Sequence, residues 1–117
     1  MDFLSRLFDS TVPHLDAPSA KAKLETNPQP FLLDVRQPEE YRDGHIAGAT
    51  LIPLGELGRR MQELPRDRQI VCVCRSGNRS HTATRYLVSA GYDAVNLRGG
   101  MIDWVNKGFA IKKGMSQ

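Results

Sequence analysis

Long apolar runs are missing from this chain. Its longest strongly apolar stretch, Ile70-Val71-Cys72-Val73-Cys74, falls far short of the ~20 residues that a bilayer-spanning helix needs. Charge of one sign is also scarce: sixteen Lys and Arg stand against thirteen Asp and Glu, a net +3, with no long run of either. That excludes the basic, aromatic-interleaved stripe of a nucleic-acid binder, so no nucleic-acid partner is expected. Asp2, Arg6 and Asp9 interrupt any apolar leader, so no signal peptide is expected and the chain is read as cytoplasmic, where thiols stay reduced. Cysteine is sparse as well. Cys72 and Cys74 are the only two; one residue apart, they point the same way in a strand but are badly placed for a disulfide. Two cysteines alone make no zinc site, and His14, His45 and His81 lie at no ligand spacing, so no metal is expected.

What is present suits a globular protein. The 117 residues, 40% hydrophobic and 25% charged, are enough for one domain and carry enough apolar side chain to offset the entropy of ordering. Residues 11–117 read as a single domain, without internal repeat or linker. In the preceding segment, 1–10, Phe3-Leu4 and Leu7-Phe8 are spaced for one or two amphipathic helical turns. Such turns would pack on the domain's own sheet; a dimer contact or a peripheral membrane anchor is the alternative.

Short apolar runs alternate with amphipathic stretches, the pattern of an α/β fold with a largely parallel sheet. Phe31 to Val35, Ala49 to Ile52, Gln69 to Cys74 and Asp93 to Leu97 are predicted strands, with Thr11-Val12 as a short edge strand. Helical spacing joins Leu54, Leu57, Met61 and Leu64 before Pro65. It also joins Ala83, Tyr86, Leu87 and Ala90 before Gly91, and Met101, Trp104 and Val105 before Gly108. A weaker helix is predicted over about Ser19 to Thr26.

The segment with chemistry in it is Val71 to Ser80. A buried strand ends at a cysteine, the chain turns, and an amphipathic helix begins. Ligands bind at this place in an α/β sheet, outside the carboxyl end of a strand. Backbone N–H groups of the turn and of the helix start converge there, and the helix dipole adds partial positive charge. Gly77 lets the turn close tightly, while Arg75 and Arg79 add fixed positive charge. A thiol at the centre is favoured as the thiolate, which makes Cys74 a partly exposed nucleophile. Cys72, two residues deeper, is read as a small core residue.

At this point a resemblance enters. Cys74-Arg75-Ser76-Gly77-Asn78-Arg79-Ser80 resembles the active-site loop of single-domain rhodaneses. Upstream, Leu32-Leu33-Asp34-Val35-Arg36, Glu39-Glu40-Tyr41 and Gly44-His45-Ile46-Ala47-Gly48-Ala49 are similar to the family's first signature. Gly99-Gly100, Trp104 and Gly108 are similar to its last. The resemblance covers about residues 30 to 108 in the right order. It implies a rhodanese-like α/β fold: a central, mostly parallel sheet of about five strands with helices on both faces. It also implies sulfur transfer, in which Cys74 takes sulfane sulfur from a small-molecule donor such as thiosulfate. The resulting persulfide is held by amides of residues 75–80 and passed to cyanide, a thiol or a protein acceptor, with no metal or organic cofactor required.

Around Cys74, the residues Arg75, Ser76, Gly77, Asn78, Arg79 and Ser80 are the expected substrate-binding set. Arg75 is open between meeting substrate and a structural role. Arg79 is weighted towards bracing the loop through carboxylates. The family pattern makes Asp34 and Arg36 a structural pair beside the site; His45, in a Gly-His-Ile turn, is read as a satisfied structural histidine, and Trp104 as a core anchor rather than a substrate-stacking residue. His81 is expected to be exposed. Cysteine-dependent phosphatases and arsenate reductases resemble this arrangement but use a loop one residue longer, Cys-x5-Arg, whereas Cys74 to Arg79 is Cys-x4-Arg. The chain departs from the family at Gly108-Phe109-Ala110, where a proline usually stands at position 110, which leaves the path of the last dozen residues open. The expected function is a thiosulfate sulfurtransferase, monomeric or weakly dimeric. Its alternative is a sulfur-carrier or protein-binding module with a partner protein as acceptor; a phosphatase or arsenate reductase is disfavoured by loop length.

Overall fold

The computed structural model describes residues 12–117. The 1–10 segment, and Thr11 with it, lie outside the described residues. Five strands form one sheet: β1 (His14–Leu15), β2 (Phe31–Asp34), β3 (Thr50–Leu51), β4 (Ile70–Val73) and β5 (Ala94–Leu97). The spatial order is β1-β5-β4-β2-β3 and every neighbouring pair is parallel. The helices are α1 (Ala17–Leu24), α2 (Pro38–Asp43), α3 (Leu54–Arg60), α4 (Asn78–Ser89) and α5 (Gly100–Asn106), with a 3-10 turn at Met61–Glu63.

Parallel strands are covered on both sides, so the central ones read as continuous apolar runs rather than as alternation. All four residues of β4 and all four of β5 are buried. Strand parity sends their side chains into two cores. On one face Leu32, Val71, Val73, Val95 and Leu97 pack with Ala17 and Ala20 of α1, Tyr41 of α2, and Met101 and Trp104 of α5. On the other, Leu33, Val35, Ile70, Cys72 and Cys74 pack with Leu57 of α3 and with Ala83 and Leu87 of α4. Each fully buried leucine in these layers contributes roughly 1.5–3 kcal/mol of transfer free energy.

Some boundaries differ from those read off the sequence, for local reasons. Helix α1 begins two residues early because the Asp16 carboxylate caps it, accepting from Ser19 N at 2.8 Å, with Pro18 in the first turn. Of the expected edge strand Thr11-Val12, Thr11 lies outside the described residues and Val12 belongs to no strand; the edge strand lies at His14–Leu15. There the Pro13 and Leu15 carbonyls accept from Asn96 N (2.9 Å) and Arg98 N (2.8 Å), which fixes the pairing with β5. Helix α2, six residues long, was not anticipated; Glu40 supports its start by accepting from Gln37 N at 3.0 Å.

The last residues return to the body of the fold. Phe109 packs edge-on against Trp104, whose indole N–H donates to Ala110 O at 3.0 Å. His45 and Lys112 then exchange backbone hydrogen bonds of 2.9 and 2.7 Å.

Candidate active site

The strand β4 ends at Val73, Cys74 follows, and the chain turns into α4 through Gly77 at φ 102° and ψ −5°. Any side chain would be strained at that φ, and a Cβ there would also stand 3.1 Å from Gly99 N. The turn is clamped from outside by α5. Met101 N donates to Cys74 O at 2.9 Å and Ile102 N to Arg75 O at 3.0 Å. A Cβ on Gly100 would overlap those two carbonyl oxygens, so the Gly99-Gly100 pair exists to let the helix start lie directly on the loop.

Inside this turn three donors meet on one atom. Gly77 N lies 3.1 Å from Cys74 Sγ, Ser80 N 3.3 Å and Ser80 Oγ 3.2 Å. Two backbone amides and one hydroxyl are thus aimed at the sulfur. Cys74 is not partly exposed, as the sequence suggested, but fully buried. The loop curls over it, and its side chain belongs to the same apolar cluster as Val35, Ile52 and Ala83.

The other expected residues divide by place. Ser76 and Asn78 are exposed on the rim. Arg75 is exposed and forms no ion pair among the described residues. It faces a groove of 450 Å³ whose lining includes Arg36, Glu40, Met101, Ile102 and Val105. Arg79 turns back to Glu40, Nη1 to Oε1 and Nη2 to Oε2, each 2.8 Å. That bidentate bond, with burial opposing it, holds the Glu40 carboxyl at about 2, against an ordinary 4.5. Asp34 and Arg36 form a buried pair: Nε to Oδ1 3.0 Å and Nη2 to Oδ2 2.8 Å. Arg36 Nη2 also donates to Gly44 O at 2.8 Å.

Burial pushes the Cys72 thiol up to about 12, with the neighbouring Cys74 adding to the shift and a bond from Thr84 opposing it. His45 is fully buried, stacked on Tyr41 at 3.7 Å, with Nε2 2.9 Å from Ser116 O. His81 is half-buried rather than exposed, its ring 5.7 Å from that of His14. Burial, with Arg98 and His81 nearby, lowers the pKa of His14.

Three participants escaped the sequence reading. The Ser80 hydroxyl has no sequence signal apart from that of its own amide. Glu40 stands in the upstream signature with no local mark of its partner, and Asn96 is marked in the sequence only as a polar residue in an otherwise apolar strand.

Comparison with known proteins bears on this geometry. The family model for the rhodanese-like domain matches residues 16–107. A sulfurtransferase of Allochromatium vinosum is 41% identical over 101 residues, covering 86% of this chain and 94% of that protein. YrkF of Bacillus subtilis, provisionally named a sulfur carrier protein, is 38% identical over 99 residues, 84% of this chain and 54% of its own length. The crystal structure of a thiosulfate sulfurtransferase from Pseudomonas aeruginosa superposes with a TM-score of 0.82 at 30% identity, covering 91% of this chain and 21% of that one.

Proposed function

The chain belongs to the rhodanese-like domain family, and from that premise we propose that it is a thiosulfate sulfurtransferase working through a persulfide on Cys74. The observation that carries this reading is the convergence of Gly77 N, Ser80 N and Ser80 Oγ on a single sulfur atom. A cradle of that size suits an anion one atom wide.

In the first half-reaction the Cys74 thiolate attacks the outer sulfur of thiosulfate. A new S–S bond forms, the old one breaks, and sulfite leaves with its electron pair. In the second, a nucleophile such as cyanide or a thiol takes the outer sulfur and Cys74 departs as the thiolate. Oxidation state balances without a further reductant, because the sulfur moves as a neutral atom between two nucleophiles. Arg75, exposed at the groove and without an ion-pair partner among the described residues, is placed to attract the anionic donor. Because Sγ is covered, attack requires local opening at the rim, where Arg75, Ser76 and Asn78 are exposed. The proposed compartment is the cytoplasm, where both thiols stay reduced.

Two half-reactions sharing a covalent intermediate give parallel double-reciprocal plots when thiosulfate and cyanide are varied together. Intersecting lines, or turnover surviving in Cys74→Ser, would reject the mechanism. A second reading, in which a partner protein is the true acceptor, is favoured by the similarity to the Bacillus subtilis protein named as a carrier. It predicts ready sulfur loading with poor turnover on cyanide and small thiols.

A further inference from the structure

Asn96 interrupts a strand whose other residues, Ala94, Val95 and Leu97, are all buried and apolar. It is 2% exposed, and asparagine is a poor strand former. Its Cα partners are Cys72 on β4 and His14 on β1. The side-chain Nδ2 donates to Gly77 O at 3.2 Å and lies 3.3 Å from His14 Nδ1. Its Oδ1 is buried without a hydrogen-bond partner among the described residues.

For folding alone this is a bad choice. A half-satisfied amide in the core destabilises the chain relative to an apolar side chain of similar size. Backbone pairing in β5 needs no amide side chain either. What leucine at this position would not do is hold the carbonyl of Gly77. That residue has no Cβ to restrict it, and its N–H donates to Cys74 Sγ. Its carbonyl takes one bond from His81 N at 3.1 Å within the helix and a second from Asn96 on the sheet. The second bond ties the loop to the same rigid layer that carries Cys74.

We propose that Asn96 is a positioning residue that sacrifices stability to fix Gly77 with its N–H on the Cys74 sulfur. The inference rests on the reading of Cys74 as the reacting thiol, but not on the identity of the sulfur donor.

The test compares wild type with Asn96→Leu and, should that variant fail to fold, Asn96→Ala. Three quantities are read: thermal midpoint, rate of Cys74 alkylation by iodoacetamide at neutral pH with peptide mapping, and rate of sulfur loading from thiosulfate in a single turnover. For Asn96→Leu the expected result is an unchanged or raised midpoint with alkylation and loading each slowed about tenfold, the effect of misaligning one hydrogen bond to an anion. For Asn96→Ala the same slowing is expected, whatever happens to the midpoint. Unchanged or faster alkylation in the folded variant would overturn the proposal, since loosening the loop without misplacing the Gly77 donor only opens the covered thiol to the reagent. If wild type loads no sulfur, the sulfurtransferase reading falls, while the alkylation comparison still decides the role of Asn96.

Discussion

Arg79 and Glu40, 39 residues apart in sequence, meet through two parallel hydrogen bonds of 2.8 Å that tie the start of α4 to α2. Glu40 Oε1 is shared, since it also accepts from Gln37 N. One carboxylate therefore caps a six-residue helix and fixes the helix that carries Ser80. Because Arg79 is used in this way, the loop's positive charge without a carboxylate partner among the described residues is that of Arg75.

Glu40→Gln is accordingly expected to lower unfolding free energy by about 1 kcal/mol at neutral pH, the upper range for a partly exposed pair. The Glu40 carboxyl titrates at about 2 in the folded protein against an ordinary 4.5, so it binds its proton more readily when unfolded. The stabilisation is thus fully present above pH 4.5 and is lost as pH falls towards 2. Urea titrations of both proteins should show a constant gap near neutrality that closes in acid. A gap that widened in acid would contradict the sign of the shift.

Ser80→Ala removes the hydroxyl from Cys74 Sγ while leaving the amide in place. A hydrogen bond to a charged group contributes ~1.5–3 kcal/mol, so single-turnover sulfur loading should slow by roughly 10- to 100-fold. Far-UV circular dichroism should be unchanged. An unaffected loading rate would mean that the two amides alone hold the sulfur.

Cys72→Ser should leave sulfur transfer intact and cost ~1–2 kcal/mol, because it puts a hydroxyl in an apolar layer. The Cys72 thiol, pushed up to about 12 by burial, should also resist alkylation in the folded protein through mildly alkaline pH and react on unfolding. Loss of transfer in folded Cys72→Ser would point to a paired-thiol mechanism instead.

The sheet was legible in the sequence because parallel strands buried on both faces leave continuous apolar runs, as in Ile70 to Val73. The loop was legible because a strand, a cysteine, a glycine turn and an amphipathic helix succeed one another over ten residues. Helix α2 was not, since six residues are too few to display a 3.6-residue period. The full burial of Cys74 was missed for a different reason: strand parity gives a direction, whereas burial depends on how far the loop folds back. Asn96 comes to lie against Gly77 only through the register of β5 beside β4, a relationship 19 residues long in sequence that no local pattern records.

The most direct measurement is intact-protein mass spectrometry of wild type and Cys74→Ser after incubation with thiosulfate in the absence of reductant. A persulfide on Cys74 requires the wild type to gain the mass of one sulfur atom and the variant to gain none. A wild type whose thiol is free and reactive but which gains no mass, or a variant that gains as much as the wild type, would contradict it.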